Sequence, residues 1–171
     1  MGSTVTCGGC CQSSKGVEDI SVPKNKSMLT QNKLTAHHAK AFLITCMDFR
    51  LFNDTNRILK ERGYNVNYDQ FVLAGVSLGL VQQKFPGWGK SVLDHIGISI
   101  KLHQINKVIL LDHLDCGAYK TFCPDLKKED EYNEHKKNLK LAKEMINEAF
   151  PSITVKTWIL HLDGQLDRIK E

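Results

Sequence analysis

The sequence has no long apolar run. Nothing in its 171 residues approaches the roughly 18 consecutive apolar positions of a membrane helix. No cleavable secretory signal is expected either, because the start of the chain is polar and glycine-rich. There is no internal repeat. Strong net charge is also missing: the total is +4, and residues 1–40 contribute 5 − 2 = +3 of it. The rest of the chain is nearly neutral and carries no basic stripe with interleaved aromatics, so nucleic acid is not an expected partner. A disulfide framework is not expected at this size without a secretory signal. The six cysteines are read as free thiols in a reducing, cytoplasmic compartment.

What is present suits an ordinary globular domain, with 42% hydrophobic and 25% charged residues. Residues 1–40 are rich in Ser, Thr, Gly, Asn and Lys, and are expected to be a flexible N-terminal segment outside the core. Its tip has competing readings. Met1-Gly2-Ser3-Thr4-Val5-Thr6 matches an N-myristoylation pattern with Gly2 as acceptor. One such chain binds membranes marginally, so Cys7, Cys10 and Cys11 would add palmitate, and the lysines would meet anionic lipid. The same residues also read as a cloning remnant or a chance match. Cys7-Gly8-Gly9-Cys10 has metal-ligand spacing but no second pair nearby.

Residues 41–171 alternate strand and helix patterns. Ala41 to Thr45 is a short buried strand. A helix capped by Asn53 or Asp54 follows and stops at Gly63. Tyr68 to Ala74 is a second strand, and Val76 to Leu80 continues apolar and flexible. A helix is expected from about Lys90 to Ile105, and Lys107 to Asp112 is the clearest strand. A helix from about Glu131 to Phe150 and a strand from about Ile153 to His161 complete the pattern. This predicts an α/β fold: a central parallel β-sheet of about four strands, order 2-1-3-4, flanked by helices. In that order the first and third strands lie side by side at the switch point, where sites form.

Both strands end on unusual residues. Cys46, Asp48 and Arg50 follow the first at alternate positions, so persisting strand geometry would aim all three one way. His113 and Cys116 follow the third with His-x-x-Cys spacing. One imidazole and two thiolates suit Zn²⁺, and three protein ligands leave the open fourth position of a catalytic site. Taken singly, a Cys after a strand is ordinary core and a surface His merely polar. Cys123 and His95 are left in that class, and His37 and His38 are assigned to the tail.

Cys46-Met47-Asp48-Phe49-Arg50, then Ala74-Gly75, then His113-Leu114-Asp115-Cys116-Gly117 resembles the β-class carbonic anhydrases. That family carries Cys-x-Asp-x-Arg and His-x-x-Cys-Gly. The resemblance implies Zn²⁺ held by Cys46, His113 and Cys116, with Asp48 and Arg50 as the dyad beside the solvent that the zinc activates. It implies reversible hydration of CO2 to bicarbonate and a homodimer. The family also has a closed, inactive arrangement in which the aspartate leaves its arginine for the zinc. Phe49 stands where the family often has serine, and Val76 where it often has asparagine. Related members hydrolyse COS or CS2 at the same kind of site, so that reaction is the alternative. A silent zinc-binding relative tethered to membranes is a third reading. A cysteine phosphatase is excluded, because Phe52 stands where its arginine would be.

Overall fold

The structure is a computed structural model and describes residues 37–170. Gly2, Cys7, Cys10 and Cys11, on which the lipid and zinc-knuckle readings fall, lie outside the described residues.

Apolar residues run without a break from Phe42 to Ile44 in β1 (Phe42–Thr45), so the strand is buried on both faces. Phe42 and Ile44 point to one side, with Val108 and Leu110 of β3 (Lys107–His113). Leu43 points to the other, with Ile109 and Leu111. β1 pairs in parallel with both β2 (Asp69–Val72) and β3, and β3 pairs in parallel with β4 (Thr154–Leu160). The order β2-β1-β3-β4 is the expected one.

The sheet does not end there, and it is not wholly parallel. Residues Leu166–Arg168 form β5, antiparallel to β4 at the edge. A turn makes it: Gly164, at φ 85°, donates to the His161 carbonyl and His161 donates to Gln165. β5 was missed because its three residues are partly exposed and carry no apolar run.

Helices cover both faces. α1 (Phe52–Glu61) packs Ile58 and Leu59 on the Leu43 side, and Gly63 at φ 77° ends it as expected. Neither Asn53 nor Asp54 caps it, because a 3-10 turn at Phe49–Leu51 starts the helix earlier. The other face is covered by α3 (Gly87–His103) through Val92 and Ile96, and by α5 (Glu131–Ala149) through Leu139, Ala142 and Ile146. Val76 to Leu80 is not flexible. Ser77–Val81 is a short helix, α2, and Leu78 and Leu80 are buried. A further short helix, α4 (Gly117–Phe122), packs Tyr119 beside Leu78 and Cys116. Among the described residues no helix is long and apolar enough to cross a membrane.

Candidate metal centre

Parallel pairing brings the two motif-bearing strand ends together. Thr45 pairs with Leu111 at the end of β1, so Cys46 emerges beside the last residues of β3. His113 closes β3, and a sharp loop at Asp115, φ 58°, turns the chain so that Cys116 begins α4. The ligand atoms of Cys46, His113 and Cys116 all lie within 4.8 Å of one another, with the two sulfurs 3.8 Å apart.

The chemistry of the trio fits a metal. His113 is 1% exposed and its Nδ1–H donates to the Leu114 carbonyl at 2.8 Å. That bond leaves the lone pair on Nε2, which is buried and makes no hydrogen bond. A buried nitrogen left unpaired costs about 1–3 kcal/mol. Facing two sulfurs, it is the third donor of a soft cage. The hydrogen bond between the two sulfurs holds Cys46 well below the ordinary thiol range. The amides of Gly75 and Asp48 act in the same direction. Cys116 is pushed up by the same contact and by burial. Burial pulls the His113 imidazole down, but the adjacent Cys46 sulfur outweighs it and the net shift is upward.

Gly75 explains the Ala-Gly pair after β2. Its φ is 71°, and a Cβ there would stand 3.0 Å from that of Ala118. Only glycine brings an amide to the Cys46 sulfur through so tight a turn.

Asp48 and Arg50 do meet, but not by strand alternation. The strand stops at Thr45, and the backbone bends into the 3-10 turn, whose cap is Asp48. Asp48 accepts the Arg50 amide at 3.1 Å. The guanidinium closes back on the carboxylate, with Nε 3.0 Å from Oδ1 and Nη2 2.7 Å from Oδ2. The hydrogen bonds from Arg50 hold Asp48 below the usual carboxylate range. Phe49, between them, stays out of the core and shares a cleft with Cys46, Asp48 and Arg50. It is 87% exposed, at the rim of this cleft of about 620 Å³, which Ala74, Phe85, Trp88 and Phe122 also line.

Sequence reasoning missed residues behind both motifs. Asp115 ties them together: Arg50 donates to its carboxylate at 3.0 Å and to its carbonyl at 3.1 Å, and Lys120 pairs with it from α4. Behind β3, Asp112 is 1% exposed and accepts from the Ser77 amide at 3.0 Å, the Ser77 hydroxyl at 2.5 Å and His135 Nδ1 at 2.7 Å. The Tyr119 hydroxyl joins at 3.3 Å and accepts from Asn138. The available signal was an acid at the end of an otherwise apolar strand, with a histidine inside an amphipathic helix. Cys123 is half-buried and outside the ligand cluster, and His95 bonds the Ser91 carbonyl within its own helix; neither joins the site.

Fold and site together define an α/β domain with a Cys-His-Cys metal-type cluster at the carboxyl edge of a mostly parallel sheet. Residues 36–170 match the family described as "Putative carbonic anhydrase". The chain belongs to that family. It is 39% identical over 140 residues to a protein of Rickettsia bellii, covering 80% of this chain and 85% of that one. A protein of Rickettsia conorii is also 39% identical over 140 residues, covering 80% of this chain and 75% of that one. Neither relative is described by an activity. The fold is similar to that of the tetrameric β-carbonic anhydrases of Sordaria macrospora, with a TM-score of 0.53 and 13% identity, over 80% of this chain and 83% of that one.

Proposed function

We propose that this protein is a zinc enzyme that interconverts CO2 and bicarbonate. The observation that carries the reading is the buried, unpartnered His113 Nε2 facing two thiols, beside an aspartate that an arginine holds away from them. Cys46, His113 and Cys116 would hold the ion. A bound zinc supplies a Lewis acid that makes water a competent nucleophile near neutral pH.

The chain's own residues do the rest. Asp48 stays ionised through Arg50, and its remaining lone pairs accept a hydrogen bond from solvent at the site. That bond orients the solvent oxygen toward substrate. Arg50 uses two donors on Asp48, so the carboxylate does not swing toward the sulfurs. CO2 is small and uncharged, and Ala74, Ala118 and Phe122 offer it apolar surface at the approach. The apolar rim also favours a second reading, hydrolysis of COS or CS2, which are likewise linear and uncharged.

The test is zinc analysis with CO2-hydration kinetics between about pH 6 and 9. One zinc per chain with zinc-dependent hydration is expected. Asp48→Ala should keep its zinc and lose turnover by about 10²-fold or more. Zinc without CO2 hydration would overturn the leading reading, and turnover of COS or CS2 would then support the second. An N-terminal acyl anchor remains a separate proposal, and an intact mass from native cells without acyl on Gly2 would end it.

A further inference from the structure

We propose that Glu131 is a positioning residue for the ligand loop, setting its grip on metal from outside the ligand set. This rests on the metal reading above and deepens it.

The loop His113-Leu114-Asp115-Cys116 carries two of the three ligands and must hold a left-handed residue that is not glycine. A non-glycine residue at φ 58° is strained by about 1–3 kcal/mol and persists only where its surroundings hold it. Glu131 supplies that hold from the first turn of α5. One carboxylate oxygen, Oε1, accepts the Asp115 amide at 2.7 Å and lies 3.4 Å from the Cys116 amide. It therefore fixes the backbone of a ligand and of the residue before it. Glu131 is largely shielded, its side chain 16% exposed, so water competes weakly for those amides.

The same helix grips the other end of the loop. His135, one turn along α5 and 1% exposed, donates to Asp112, the residue before His113. Its Nε2 faces Glu131 Oε1 at 3.9 Å. Asp112 in turn is fixed by Ser77 and Tyr119, so α5 meets the loop on a rigid base. Both ends of the ligand loop are thus referenced to one helix, which contributes no ligand. Asp115 passes the constraint on, because its carbonyl and carboxylate anchor Arg50, which holds Asp48.

The experiment measures zinc affinity of the full chain by chelator competition, and the visible spectrum of its cobalt(II) form. Thermal melts of the metal-free proteins control for folding. Glu131→Ala should weaken zinc by about 10–100-fold, the range for groups that orient a ligand, and should shift the cobalt bands. Glu131→Gln keeps an acceptor oxygen at the same reach and should recover to within about threefold of the parent. Glu131→Asp keeps the charge but is shorter, and should bind more weakly than Glu131→Gln. Parent-like affinity and bands in Glu131→Ala would overturn the proposal and leave the metal reading standing. Should Glu131→Ala not fold, the other pair decides: Glu131→Asp binding as tightly as Glu131→Gln overturns it. A parent chain that binds no zinc takes down both readings.

Discussion

In the proposed zinc site, a hydroxyl in place of the Cys116 thiol removes a soft donor and leaves the other two unable to close a cage. Cys116→Ser should therefore emerge from gel filtration without zinc, and metal analysis of the purified variant checks this. A second side chain speaks through pH. Lys120 first, and then Arg50, lower Asp115 from its ordinary 3.8 to about 2. An acid depressed in the folded state adds stability that is complete above its unfolded value. That stability is lost as pH falls through the folded value. Thermal melts of the parent and of Asp115→Asn should thus differ most above about pH 5, with the gap closing between about pH 4 and 2. A gap that widens toward acid would contradict the ion-pair assignment. At this scale the Cys46, His113 and Cys116 cluster was legible because soft side chains at two strand ends have no packing reason to be there. Asp112, Glu131 and His135 were not. Each looked like an ordinary strand end or helix charge until the fold placed them together.

Elements follow a similar division. β1 and β3 were readable from continuous apolar runs, and the sheet order from the βα alternation. α2 was not, because five residues are too few to display a helical period. Its entrance is strained: Val76 has φ 41° yet is fully buried. A β-branched residue is poorly suited to that backbone. Val76→Ala keeps the positive φ and loses packing, so it should destabilise by about 1–2.5 kcal/mol. Val76→Gly loses slightly more packing but relieves strain of about 1–3 kcal/mol. The glycine variant should melt no lower than the alanine variant, reversing the usual order. An alanine variant clearly more stable than the glycine one would mean that the strain is not there.

At the scale of the molecule, the cleft opens among side chains that a lone chain leaves in water. Met47 is 70% exposed, Phe49 87% and Phe52 67%, on one short stretch beside the candidate metal centre. We propose that the homodimer implied by the sequence resemblance covers them. Light scattering behind gel filtration should then give twice the 19.3 kDa chain mass, and Phe49→Glu should shift it toward the monomer. A monomeric parent would remove the dimer from the account. The sequence offered no sign of this surface, because exposure of a phenylalanine depends on where the chain turns. Here that turn is the 3-10 start of α1, which a strand reading carried past.

Asp115 leaves selection with a conflict. Its backbone is one that glycine adopts freely, so relief of backbone strain alone would favour glycine there. Glycine would keep the amide that Glu131 grips and the carbonyl that Arg50 touches, but not the carboxylate that Arg50 and Lys120 share. The relaxed protein would hold its dyad more loosely. Backbone ease and the ion pairs of the carboxylate thus pull in opposite directions at this one position.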